Sequence, residues 1–339
     1  LRLLHPDFIG VRNDVPVAVI VRSEIPRLVI ARDKVPKQSL KRLETGWSSR
    51  LRSPCSCPDL SGQRRQSKLC YYKSTTNRNK NQKMRAIILA AGASRRLYPL
   101  TDGMPKCMLK IGNKTIMEKQ LEMLRGYGID DIVVVRGYKK EKIQYSHIRY
   151  YENPGYKENG ILSSLFYAED ELDDIFIFSY SDILYERSIL EKLLKSEADI
   201  SLVVDVDWTG QYVNRDKHPV SEAELVVVEN DRIAKIGKGL EPSEAHGEFI
   251  GLAMFSEEGA RTLKLHYHKL LEEFQNKKDK EFQNATSFEK AYLTDMLQEL
   301  IDQGCAISNL DINGGWSEID TDEDLERAVK KWTKWKWGK

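Results

Sequence analysis

The sequence from Met84 onward predicts an α/β fold, and two observations carry that reading. Short apolar runs alternate with stretches of helical periodicity, the pattern of strands joined by crossover helices. The first of these runs leads directly into small residues followed by cations, and open sheets of this kind hold ligands at the carboxyl ends of their strands.

The elements follow in order. Ala86–Ala90 is an apolar strand. Thr115–Arg125 has helical spacing, with Leu121 and Leu124 on its apolar side. Asp131–Val135 is a short buried strand ending in Arg136-Gly137-Tyr138. His147–Glu152 is another, closed by the Asn153-Pro154-Gly155 turn. Ile161–Glu171 reads as helix, and Asp174–Phe178 as a hydrophobic strand ending in Ser179-Tyr180-Ser181-Asp182. Ile183–Lys195 reads as a helix that Asp182 could cap. The result is a Rossmann-like, mostly parallel mixed sheet flanked by helices. The loops after Ala90, Val135, Glu152 and Phe178 are expected to converge on one cleft.

Charge divides the 339 residues unevenly. Residues 1–83 hold 18 Lys and Arg against 6 Asp and Glu, and the remainder holds 35 against 45. A basic leader therefore precedes an acidic body, here divided as 84–331 for the folded domain and 332–339 for a basic, Trp-rich tail. In the leader, Arg2, Arg12, Arg22 and Arg32 are in phase, as are Pro6, Pro16, Pro26 and Pro36. Prolines at that interval forbid long helices, and residues 47–83 have the polar composition of disorder. Met84 is the first methionine, so the expectation is that the native chain starts there. The acidic body offers no basic stripe for nucleic acid. No window has the length of a spanning helix, and five scattered cysteines fit a reduced, cytoplasmic setting.

The loop after the first strand carries the chemistry. Small residues over Ala90–Ser94 let backbone N–H groups approach a phosphate, and Arg96 and Lys106 can neutralise a departing polyphosphate. The loop is neither a Walker loop nor a dinucleotide fingerprint. Asp182, just beyond an apolar strand, calls for a cation or solvent. Near the C-terminus, Glu318 and Asp320 alternate around Ile319 and share a face in an extended segment. Thr321 suits a helix cap, with Asp322–Asp324 in the first turn. Asp182, Glu318 and Asp320 together suffice to hold Mg²⁺ between protein and phosphate oxygens. His266 and His268 point to different helix faces and read as packing or solvated residues.

Leu89-Ala90-Ala91-Gly92-Ala93-Ser94, with Arg96, Pro99 and Pro105-Lys106, resembles the signature of the nucleotidylyltransferases, Leu-Ala-Ala-Gly-x-Gly-x-Arg-x-x-Pro. Ser94 replaces the second glycine. The ending Trp316-Ser-Glu318-Ile-Asp320-Thr-Asp-Glu-Asp-Leu325 is similar to the phosphocholine cytidylyltransferase-like branch. So are Asn153-Pro-Gly-Tyr156 with Asn159 and Ser163-Ser164-Leu165, and the middle segment from Asp207 to Glu224.

The resemblance implies a nucleotide-diphospho-sugar transferase-like fold with a small β-rich substrate insertion. It implies transfer of a cytidylyl group from CTP to phosphocholine or a related phospho- or phosphono-compound, with Mg²⁺ as cofactor. By the same resemblance Asp182 holds the metal, Arg96 and Lys106 stabilise pyrophosphate, and Leu89–Ser94, Gly137, Tyr138, Asn159 and Ser163 bind the nucleotide. Trp208 and Tyr212 could wall a quaternary ammonium, whereas Arg215 and His218 suit a carboxylate or phosphonate. Alternatives are a sugar-1-phosphate nucleotidylyltransferase using UTP or dTTP and a non-catalytic nucleotide-binding module. Further expectations are a homodimer and a membrane-surface contact by the Lys/Trp tail through Trp332, Trp335 and Trp337.

Overall fold

The computed structural model describes residues 84–213, 215–277 and 280–334. The leader, with its repeats and expected start site, lies outside the described residues, as do Trp335 and Trp337. Among the described residues no helix is long and apolar enough to cross a membrane.

The elements run β1 (Arg85–Ala90), β2 (Lys110–Ile111), β3 (Lys114–Thr115), α1 (Ile116–Gly126), β4 (Asp131–Arg136), β5 (Arg149–Glu152) and α2 (Ile161–Phe166). They continue as β6 (Phe176–Tyr180), β7 (Ile183–Tyr185), α3 (Arg187–Leu194), β8 (Ile200–Asp205), α4 (Thr209–Tyr212), β9 (Leu225–Glu229), β10 (Arg232–Gly237) and β11 (Gly247–Phe255). The last are α5 (Glu257–Phe274), α6 (Leu293–Asp302), β12 (Ser308–Ile312), β13 (Trp316–Glu318) and α7 (Asp322–Trp332).

A nine-stranded sheet has the order β10-β9-β11-β6-β1-β4-β5, with β8 also pairing to β11 and β12 to β8. It is mixed and mostly parallel: within it β10 and β11 run against the common direction. The β5-β4-β1-β6 half is parallel throughout. Burial on both faces explains the near-continuous apolar strands. Along β1, Ile87 and Leu89 face one core with α2, α5 and α6, while Ala86, Ile88 and Ala90 face the other with α1 and α3. The β-rich middle is the β9–β10 hairpin, which extends this sheet through β11.

Helix starts obey local chemistry. Thr115 caps α1 reciprocally with Glu118, its hydroxyl accepting from the Glu118 N–H at 3.0 Å. Thr321 and Asp324 repeat the arrangement on α7. The structure corrects the helix expected over 183–195. Ile183, Leu184 and Tyr185 are all buried and form β7, antiparallel to β13, and helix α3 begins at Arg187. Their β-branched and aromatic side chains favour that strand once a partner is present. Asp182 therefore caps no helix. The helix expected over 161–171 is likewise shorter, ending at Phe166 before a separate turn at Glu169–Glu171. Trp332, assigned to the tail, is the last residue of α7 and is fully buried, its indole N–H donating to Ser317 Oγ at 2.9 Å.

Gly251 interrupts β11 at a register shift with φ of +80°, where an added Cβ would lie 2.2 Å from the Tyr180 ring. Gly251→Ala should cost about 2–3 kcal/mol, from left-handed strain and displacement of a packed ring, read as a lower urea midpoint at unchanged slope.

Candidate active site

A cleft of about 630 Å³ opens where β1 and β6 end. The loop after β1 supplies Ala91, Gly92 and Ser94, and β6 leads into Ser181 and Asp182. The segment after β5 supplies Tyr156 and Asn159, and the N-terminal end of β11 closes the far side with Glu248 and Phe249. Three of the four expected loops thus line the cleft. The fourth works from behind. Gly137 is packed so closely that a Cβ would meet the Ala91 carbonyl at 2.8 Å, and the Tyr138 N–H donates to that carbonyl at 3.0 Å. The Tyr138 hydroxyl donates to the Asp102 carbonyl at 2.8 Å. Gly137 and Tyr138 fasten the loop rather than line the cleft.

Other assigned residues sort in the same way. Leu89, Ala90, Ala91, Gly92, Ser94 and Asn159 reach the cleft, and Ala93 does not. Ser94 has φ 47° and ψ 53°, so the serine adopts the left-handed conformation that a glycine takes freely. Asn159 exchanges amide hydrogen bonds with Asn153 at 2.8 and 3.1 Å. Ser163 faces away and donates to the Glu289 carbonyl at 3.0 Å, whereas its neighbour Ser164 lines the cleft. Spacing along a helix separates the two by one step, which resemblance alone does not resolve.

The charged centre gathers residues far apart in sequence. The Lys106 ammonium is buried and donates to Asp320 Oδ1 and, at 2.5 Å, contacts Asp182 Oδ2. Arg96 donates to Asp320 Oδ2 at 2.6 Å and lies 3.5 Å from Glu222. Glu318 and Asp320 arrive here because β13 pairs with β7, placing Glu318 opposite Ile183, and the Ile319 N–H donates to the Asp182 carbonyl at 3.0 Å. Asp205 holds the approach to β13. Its carboxylate accepts from the Trp316 indole at 2.7 Å and the Gly314 N–H at 2.8 Å.

Trp208, Tyr212 and Arg215 are not brought to the cleft. Trp208 is buried with Ala223 and Leu225, and Tyr212 meets it edge-to-face at 5.7 Å. The Arg215 guanidinium is buried against Asp324 at 2.6 and 3.0 Å and reaches Glu318 at 3.0 Å. Asp324 in turn accepts from the Asp320 and Thr321 N–H groups at 3.1 and 2.9 Å. Arg215 thus braces the turn that presents Asp320. Asp324, expected only in the first turn of the helix that Thr321 caps, also anchors that turn to Arg215.

Electrostatics follow from this crowding. Burial would lower the Lys106 pKa, but Asp182, Asp320 and Glu318 outweigh it and hold the ammonium charged. Burial would raise Asp320, yet Lys106 and Arg96 keep it well below the usual carboxylate range. Glu318 is pushed well above its ordinary value by burial, then by Asp320 and Asp182. Burial, then Arg215, lowers His218 to about 4, leaving its imidazole neutral. Donor atoms of His218, Glu318 and Asp320 lie within 4.8 Å of one another. Among the described residues, Asp182 Oδ1 and His218 Nδ1 are buried without hydrogen-bond partners. The centre is short of positive charge and fits a cation. His218 was read from sequence only as an acceptor contact; its approach to Glu318 and Asp320 is a tertiary fact.

Residues 86–238 match the family of MobA-like NTP transferase domains. The chain is 33% identical over 261 residues to the CTP:phosphoglutamine cytidylyltransferase of Campylobacter jejuni, spanning 73% of this chain and all of that protein. The chain belongs to the NTP transferase family, in its cytidylyltransferase branch. It is a nucleotidyltransferase. It is also 32% identical over 117 residues to the choline-phosphate cytidylyltransferase of Streptococcus pneumoniae, covering 33% of this chain and 51% of that relative. Among solved structures, a putative glucose-1-phosphate thymidylyltransferase from Bacillus anthracis superposes with a TM-score of 0.58 at 18% identity. That likeness covers 76% of this chain and 98% of the other, and it speaks for the transferase fold.

Two expectations follow. Arg215→Ala strands Asp324 as a buried unpaired charge and should cost on the order of 3–5 kcal/mol, read by chemical denaturation. Burial raises Glu224 to about 7 and Glu248 to about 8. A raised carboxyl binds its proton more tightly folded than unfolded, so its contribution is present at acid pH and lost as pH rises through those values. Above pH 6.5 His218 is neutral in both states. Transferase stability should therefore fall between pH 6.5 and 8, and Glu224→Gln with Glu248→Gln should flatten that slope.

Proposed function

We propose that this transferase moves a cytidylyl group from CTP to a small phosphorylated acceptor, releasing pyrophosphate. The observation that carries the reading is the pairing of Lys106 with Asp182 and Asp320, and of Arg96 with Asp320, in the cleft that the small-residue loop after β1 lines. Family membership and the relatives named for CTP support the choice of nucleotide.

The residues divide the work. The loop Ala91–Ser94 would present backbone N–H groups to the triphosphate. Asp182, Glu318 and Asp320 offer the oxygen donors that Mg²⁺ prefers, and bound Mg²⁺ would offset charge on the reacting phosphates. A cation held there would compensate the carboxylates that engage Lys106 and Arg96, and both side chains would then be available to the pyrophosphate as its charge develops. The acceptor oxygen is already anionic and needs no strong general base. Rate enhancement then comes from alignment and charge neutralisation.

Phosphocholine is the less supported acceptor. Trp208 and Tyr212 are packed together away from the cleft, and its far wall instead carries Glu224, Glu248, Lys238 and Tyr292. The Campylobacter relative, named for phosphoglutamine, points to an amino-bearing phospho-compound.

A pyrophosphate-release screen of four NTPs against phosphocholine, phosphoethanolamine, 2-aminoethylphosphonate and sugar phosphates tests the reading. Mg²⁺-dependent release with CTP is expected; release only with UTP and a sugar phosphate would overturn it. Asp182→Ala should lower turnover at least a hundredfold with an unchanged melting profile. Turnover at the wild-type rate would remove Asp182 from the site.

A further inference from the structure

The cleft has a second charged end that the transferase chemistry leaves unused. Glu248, near the start of β11, is 4% exposed and lines the cleft. Its Oε1 accepts from the Tyr212 hydroxyl at 2.6 Å, but its Oε2 is buried with no hydrogen-bond partner. Glu224 stands beside it: Leu225 pairs with Glu248 across β9 and β11, and the Phe249 N–H donates to the Glu224 carbonyl at 2.8 Å. The Glu224 carboxyl is also buried and accepts from Tyr180 and Thr294 hydroxyls, each at 3.1 Å.

Neither carboxyl has an ion pair of its own among the described residues. Lys238 is committed to Glu222 at 3.0 Å and sits 4.5 Å from the centre of the Tyr292 ring. Arg215 is committed to Asp324 and Glu318. Glu248 and Glu224 are buried carboxyls on adjoining segments of the cleft wall, one with an acceptor atom that has no hydrogen-bond partner among the described residues, and both are costly to ionise unless a cation joins them.

We infer that this end of the cleft recognises the acceptor by an ammonium group bearing N–H, with Glu248 as its direct partner and Glu224 beside it. The inference rests on the transferase reading of the cleft and specifies its acceptor class. An N–H donor is required because Oε2 lacks a hydrogen bond, which a trimethylammonium group cannot give. A quaternary cation would instead need open aromatic faces. The Tyr212 ring already faces the Arg215 guanidinium at 5.3 Å, and Trp208 is buried. A sugar hydroxyl could fill the hydrogen bond but would give an ionised Glu248 no counter-charge, which an ammonium supplies. Burial, with Asp205 and Glu224 nearby, holds the Glu248 carboxyl up at about 8, and an ammonium at Oε2 would draw it down again.

Calorimetry on the full chain, with and without Mg²⁺ and a non-hydrolysable CTP analogue, tests this. The probes are 2-aminoethyl phosphate, its uncharged isostere propyl phosphate, phosphocholine and glucose 1-phosphate. The amine should bind at least tenfold tighter than each of the others, and Glu248→Gln should bring the amine-to-propyl ratio within threefold. Glu224→Gln should narrow the same ratio. Equal affinities, a tighter quaternary or sugar ligand, a ratio untouched by Glu248→Gln, or no binding of the amine would each overturn the inference. Should Glu248→Gln fail to fold, the wild-type ratio and Glu224→Gln decide. Failure of the cytidylyl reading is separate: the CTP analogue would not bind, whatever the amine does.

Discussion

One buried ammonium organises this active site. Lys106 lies against both Asp182 and Asp320, and Asp320 also takes Arg96. Three carboxylates and two cations share a space that burial makes intolerant of imbalance. Lys106 and Arg96 neutralise Asp182 and Asp320. The charged residues of the site therefore hold one another in place within the fold.

That constraint reaches into the fold. Asp182 and Asp320 meet only because the short strands β7 and β13 pair. β13 is held by Asp205 through the Trp316 indole, and the turn after it by Asp324 and Arg215. Each of these supports is a buried, hydrogen-bonded charge, a group that fixes direction as well as proximity. The sheet provides the platform, with parallel β1 and β6 ending together beneath the loop. The far wall belongs to antiparallel β11, so the two ends of the cleft come from differently wired halves of one sheet. Lys106 and Arg96 lie at one end of the cleft, and Glu224 and Glu248, without ion pairs among the described residues, lie at the other with Lys238.

The sequence by itself determined the local chemistry. Strand β1 and its loop were legible because an apolar run followed by small residues and cations has few other uses. The capping role of Thr321, and the candidacy of Asp182, Glu318 and Asp320, came from spacing and from the cost of burying carboxylates. Tertiary structure decided what depends on partners remote in the chain. Ile183–Tyr185 became strand because β13 was there to pair with it. Ser164 rather than Ser163 faces the cleft because the rotation of α2 is set by packing. Trp208 and Tyr212 went to a small core of their own, and Arg215 to Asp324, since a buried guanidinium follows the nearest buried carboxylates. Glu224 and Glu248 carried no motif at all. Their meaning is their shared burial, and burial is a property of the folded chain.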